Sequence, residues 1–174
     1  MPNSIRPLPL PLDVIGDAFL HSMPGYYGGW ANFEAEIELI PISSIVCLTS
    51  DAEIGYKSPD YLEALATTLT QAVHRFPIEE FDVPDDKAAF VTFVHSIAEK
   101  IKGGECVLIH CAGGIGRTGV FSVCLLIALG SDIEFAFDVT RSAGPYPESK
   151  VQMEFVEALA PELGNKGSNR KKIP

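Results

Sequence analysis

Ten residues constrain this chain more than any others: His110 to Gly119, reading HCAGGIGRTG, set between two apolar runs of different character. Before them, Glu105-Cys106-Val107-Leu108-Ile109 is short, rich in apolar and β-branched residues and bounded by Gly103-Gly104, which predicts a buried strand. After them, Val120 to Leu129 contains neither Gly nor Pro and is closed by Gly130, which predicts a buried helix. Cys111 therefore lies on a strand-to-helix turn. A glycine-rich turn that opens a helix aims several backbone N–H groups, and the positive end of the helix dipole, into one concavity. Such a nest binds anions.

The side chains add reactivity to that nest. Cys111 at its entrance and Arg117 six residues later let one ring both receive a phosphate and attack it. The amides and the guanidinium are expected to hold the Cys111 pKa below the free-thiol value of about 8.5, leaving a thiolate at neutral pH. Arg117 offers a planar fork matched to two phosphate oxygens, and Ala112, Gly113, Gly114, Ile115 and Gly116 form the phosphate cradle around it. Thr118 is expected to place its hydroxyl beside the sulfur and help it leave. His110 is expected to orient the loop through its ring nitrogens.

His110, Cys111, Gly113, Gly116, Arg117, Thr118 and Gly119 fit the order His-Cys, five residues, Arg, then Ser or Thr. In this the stretch resembles the signature loop of the cysteine-dependent protein tyrosine phosphatases, and in length the chain is similar to their compact, dual-specificity-type members. The resemblance implies an α/β fold with a central, mostly parallel sheet flanked by helices and the active-site loop between a central strand and a helix. It implies hydrolysis of phosphate monoesters, foremost protein phosphotyrosine, through a cysteinyl-phosphate and without metal or other cofactor. It also implies a carboxylic acid on an earlier loop to protonate the leaving oxygen. The acidic loop at that distance is Glu79 to Asp86; registering it on Pro77-Ile78 and Val83-Pro84 puts Glu80 where the family carries Asp, while Asp82 has the customary side chain two residues later. Both remain candidates. Gln152 resembles the glutamine with which some members aim a water at the phosphoenzyme.

Three other readings compete. Gly114, Gly116 and Gly119 also satisfy G-x-G-x-x-G, with Glu134 twenty residues after Gly114, but only 55 residues follow Gly119, too few for the βαβαβ unit that such a motif begins. An inositol phosphate or phosphoinositide phosphatase shares the turn, yet its loop often carries lysines, whereas residues 112 to 116 are uncharged here. A non-catalytic phosphopeptide-binding module would need no nucleophile.

Composition sets the outer bounds. With 174 residues, 47% of them hydrophobic, the chain is expected to form one domain over residues 1–163, with an extended proline-punctuated lead-in at 1–12 and a disordered basic tail at 164–174. A net charge of −10 opposes nucleic acid, anionic membrane surfaces and polyphosphorylated substrates as partners, and the resemblance implies a phosphorylated protein or small phosphate ester instead. Cysteines at 47, 106, 111 and 124 show no metal-ligand spacing, so no metal is expected. The N-terminus has no uninterrupted apolar core of the kind signal peptides carry, and a cytoplasmic monomer is the expectation. Cys47, on a neighbouring strand, is a candidate for an oxidative disulfide with Cys111.

Along the chain, Asp13 to Leu20 reads as the first strand region with a turn or bulge at Gly16-Asp17, Asn32 to Ile40 as an amphipathic helix and Ile45 to Leu48 as a strand. Tyr26-Tyr27-Gly28-Gly29-Trp30 reads as an exposed aromatic segment. Ser58 to Phe76 reads as one helix, Lys87 to Lys102 as a second, Ile133 to Arg141 and Ser149 to Leu163 as the last two.

Overall fold

The computed structural model describes residues 4–164; the expected basic tail lies outside them apart from Gly164. The strands are β1 (Arg6–Leu8), β2 (Asp17–His21), β3 (Ser44–Cys47), β4 (Ala72–Arg75) and β5 (Cys106–His110). The helices are α1 (Trp30–Ile37), α2 (Asp51–Lys57), α3 (Pro59–Thr67), α4 (Lys87–Lys102), α5 (Gly116–Ala128), α6 (Ile133–Ala143) and α7 (Lys150–Gly164). The strands form one sheet in the order β1-β2-β5-β3-β4. β2, β5, β3 and β4 run parallel and β1 is antiparallel at the edge, so the sheet is mostly parallel with the signature strand at its centre.

β5 is buried at every position because both of its faces are covered. Val107 and Ile109 point into the larger core with Phe90, Val94 and Ile97 of α4 and Phe121 and Leu125 of α5. Cys106 and Leu108 point the other way, onto Phe33 and Ile45. This alternation is the period of two expected of a strand. α5 is buried along nearly its whole length, as its apolar run predicted, and Gly130 at φ 106° closes it.

Three readings of the sequence need correction, and one element stands outside them. The proline-rich lead-in contributes β1, with Pro7 paired opposite Phe19; an edge strand tolerates a residue that cannot donate to the ladder. The first parallel strand starts at Asp17 rather than Asp13, directly after Gly16, where a Cβ would stand only 2.3 and 2.4 Å from the carbonyls of Glu105 and Ile101. Ser58 to Phe76 divides into α3 and β4. Leu65, Leu69 and Val73 all pack in one cluster, which gave the segment its helical period, but pairing with β3 makes the last part a strand. Finally, α2 was missed, although Ser50-Asp51-Ala52-Glu53 carries the sequence of a capping box and the Ser50 hydroxyl accepts from Glu53 N at 3.2 Å.

No helix among the described residues is long and apolar enough to cross a membrane.

Candidate active site

The carboxyl end of β5 delivers His110 and the turn that follows it. Nδ1 of His110 lies 2.9 Å from Cys111 O, which can only accept, so this nitrogen carries a proton. Nε2 shares a hydrogen bond with the Tyr61 hydroxyl on α3 across 2.9 Å. His110 is fully buried, and its two ring bonds tie α3 to the start of the turn. Met23 N donates to Ala112 O at 2.8 Å and binds the turn to the segment after β2. Gly114 stands at φ 71°, where a Cβ would also come 2.6 Å from His21 O; only glycine lets the loop pass this close to β2.

Gly116 is the first residue of α5, so the helix N-terminus opens within the signature stretch and not after it. Cys111, Gly113, Ile115, Gly116 and Arg117 line a recess of about 100 Å³ together with Glu80, Phe81 and Glu148. Arg117 is 3% exposed. Its Nη1 donates to Glu53 Oε2 at 2.7 Å and to Ile78 O at 2.9 Å, and its Nη2 donates to Glu53 Oε1 at 2.9 Å. Hydrogen bonds from Arg117, outweighing the effect of burial and aided by Lys57, pull the Glu53 carboxyl down to about 2. Burial works against the charge on Arg117, but the bonds to Glu53 prevail and raise its pKa. Glu53 was not singled out in the sequence; its capping-box position was the signal that could have placed it on a helix.

Of the two candidate acids, Glu80 borders the recess, and its Oε1 lies 3.2 Å from Lys57 Nζ and 3.9 Å from Arg117 Nη2. The Asp82 Oδ1 accepts from its neighbour Val83 N at 2.8 Å. Thr118 is fully buried beside the turn, and its hydroxyl has no hydrogen-bond partner among the described residues. Gln152, also fully buried, accepts from Glu148 N at 2.7 Å through Oε1 and donates to Asp82 O at 3.1 Å through Nε2. It thus joins the acidic loop to the loop before α7. Tyr26 and Tyr27 are 36% and 40% exposed, with ring centroids 4.4 Å apart, and Lys57 Nζ stands 5.8 Å from the Tyr26 ring.

All four cysteines are free thiols, and Cys47 lies beside His110 in the register of β3 and β5. No group of three or more His, Cys, Asp or Glu side chains among the described residues is arranged to hold a metal ion.

A family model described as PTP-SAK, Swiss Army Knife protein, DSP-PTPase phosphatase domain, matches residues 32–164. The chain belongs to this DSP-PTPase family. As a DSP-PTPase domain it is similar to human cyclin-dependent kinase inhibitor 3, with 27% identity over 147 residues, 79% of this chain and 68% of that protein. It is also similar to protein 197R of Invertebrate iridescent virus 6, which carries a tyrosine phosphatase name, with 31% identity over 87 residues and 48% of this chain. The match covers 32% of that viral protein and, for the comparable protein 067L of Invertebrate iridescent virus 3, 41%. In fold, the DSP-PTPase domain is similar to the crystal structure of kinase associated phosphatase carrying serine in place of its catalytic cysteine. That likeness has a TM-score of 0.81 and 21% identity, and covers 95% of this chain and 98% of the other.

Proposed function

We propose that this DSP-PTPase domain hydrolyses phosphate monoesters through a cysteinyl-phosphate, with protein phosphotyrosine as its foremost substrate class. The observation that carries the reading is the convergence of Cys111, Arg117 and Glu80 on one recess at the N-terminus of α5. Cys111 attacks phosphorus as thiolate, forming the S–P bond as the ester P–O bond breaks. Arg117 and the amides of residues 112 to 116 hold the equatorial oxygens, and because the nest is already formed it needs no reorganisation as charge develops. Glu80 gives its proton to the departing oxygen. Water then displaces the thiolate and releases phosphate, and the Thr118 hydroxyl, which has no partner among the described residues, is available to the departing sulfur.

Glu80 is preferred over Asp82 because it borders the recess, whereas a carboxylate oxygen of Asp82 is engaged by Val83 N. Glu53 holds Arg117 in place. His110, fixed by Tyr61, orients the turn, and Gln152 holds the acidic loop near α7, from where it can also bear on the hydrolytic water. Two carboxylates, Glu80 and Glu148, border the phosphate recess, and the loop has no lysine. A singly phosphorylated group suits this recess better than an inositol polyphosphate, whose additional charges the Glu148 carboxylate repels. The protein would act as a single phosphatase domain and a cytoplasmic monomer.

The decisive experiment is phosphate release from para-nitrophenyl phosphate, phosphotyrosine, phosphoserine and an inositol phosphate assayed side by side. The reading expects turnover of the first two, complete loss in Cys111→Ser and a phosphoenzyme trapped by acid quench. Activity that survives Cys111→Ser would overturn it.

A further inference from the structure

The loop joining β4 to α4 is fastened at three points. Arg117 Nη1 donates to Ile78 O at 2.9 Å, Lys57 Nζ donates to Glu80 Oε1 at 3.2 Å, and Gln152 Nε2 donates to Asp82 O at 3.1 Å. Between the last two stands Phe81 at φ 64°, in the left-handed region that a bulky side chain rarely enters. Its ring is 66% exposed, so burial does not hold it there. A conformation of this kind persists when its surroundings over-determine it, and the fastenings on either side do so.

The three are not equivalent. Those on Ile78 and Asp82 grip backbone carbonyls, whereas Lys57 grips the carboxylate of Glu80 itself. Lys57 is well placed for this: its side chain is 14% exposed, and its Nζ also donates to Glu53 Oε1 at 2.8 Å, one helical turn earlier on α2. Burial lowers the Lys57 pKa, but the hydrogen bonds to Glu53 and Glu80 outweigh it and leave it raised. One turn of α2 therefore holds both halves of the site, Glu53 gripping Arg117 and Lys57 gripping Glu80.

We propose that Lys57 is a positioning residue that latches the acidic loop over the phosphate recess and sets the Glu80 carboxyl on the leaving-group side of Cys111. The proposal rests on the reading of Glu80 as proton donor. Lys57 Nζ donates to Oε1 alone, so the proton for the departing ester oxygen is carried on Oε2, and the work of the latch is confined to that first chemical step.

Leaving groups of different basicity test it. Phenyl phosphate needs that proton, whereas 2,4-dinitrophenyl phosphate expels a stable anion without it. Lys57→Met is expected to lower kcat on phenyl phosphate by about tenfold and on the dinitrophenyl ester by less than about threefold, and Lys57→Arg to restore most of the loss. An equal loss on both esters marks a merely structural lysine and overturns the proposal. Glu80→Gln is the control. If it is selective for phenyl phosphate and Lys57→Met is not, the latch fails while the acid stands; if Glu80→Gln is itself unselective, the acid assignment fails and the latch falls with it. Lys57→Arg also guards against a variant that does not fold: if it keeps the Tm of the unaltered protein and still loses both esters equally, the latch fails.

Discussion

Arg117 and Glu53 meet through two parallel hydrogen bonds of 2.7 and 2.9 Å, with the guanidinium side chain 3% exposed and the carboxylate 17%. These bonds, with that from Nη1 to Ile78 O, hold the guanidinium of a residue that lines the recess together with Cys111. Lys57, one turn along α2, extends the same network to the acidic loop.

Glu53→Gln removes the charge that balances a buried guanidinium, and the expected loss of stability at pH 7 is about 3 kcal/mol. The pH dependence has a definite sign. The Glu53 carboxyl lies at about 2 in the fold against 4.5 ordinarily, so its contribution is complete above pH 4.5 and is lost as pH falls towards 2. Urea unfolding across that window should show a component of slope in the unaltered protein that the variant lacks. Identical slopes would contradict the assignment.

Glu80→Gln and Asp82→Asn should separate widely on phenyl phosphate. The first is expected to lose about a hundredfold in kcat and the second no more than about threefold, measured at saturating substrate. The reverse ranking would move the acid to Asp82 and require the loop to take another conformation.

Cys47 should behave as an acidic thiol. Burial pushes it up, but His110, through its charge and a hydrogen bond, and Thr49, through two more, bring it from 9.0 down to about 6. Burial pushes Cys106 and Cys124 the other way. In Cys111→Ser, ultraviolet thiolate absorbance should still rise near pH 6, and adding Cys47→Ala should abolish that rise. Because this thiol is more acidic folded than unfolded, its contribution to stability grows as pH rises from 6 to 9.0 and disappears below.

Gly119→Ala should be poorly tolerated although it lies in a helix. The added Cβ would stand 2.3 to 2.7 Å from the backbone of Tyr146, which cannot yield as a flexible side chain would. A loss of about 3 kcal/mol is expected, seen as a fall in Tm of roughly 6 to 12 °C. Gly113→Ala, whose Cβ would meet nothing within 4 Å, should leave Tm nearly unchanged.

Legibility in the sequence followed the range of the interactions involved. α4 was read with its full extent because Phe90, Val94, Ile97 and Ile101 declare one face within a single segment and Gly103-Gly104 ends it. β4 was not, since Ala72-Val73-His74-Arg75 has little strand character of its own and acquires it by pairing with β3. Glu53 escaped notice for the same reason: its capping box could place it on a helix, but among 23 acidic residues nothing pairs it with Arg117 until folding brings the two together, 64 positions apart.

What the sequence alone determined was the reactive turn, because strand, nest, nucleophile, arginine and helix are consecutive residues whose geometry follows from local backbone preferences. The tertiary structure decided which groups surround it. Glu53, Lys57, Tyr61, Glu80 and Gln152 come from α2, α3, the acidic loop and α7, and their relation to Cys111 exists only once a parallel sheet, whose strands are joined by long crossovers, has brought those elements to the carboxyl end of β5.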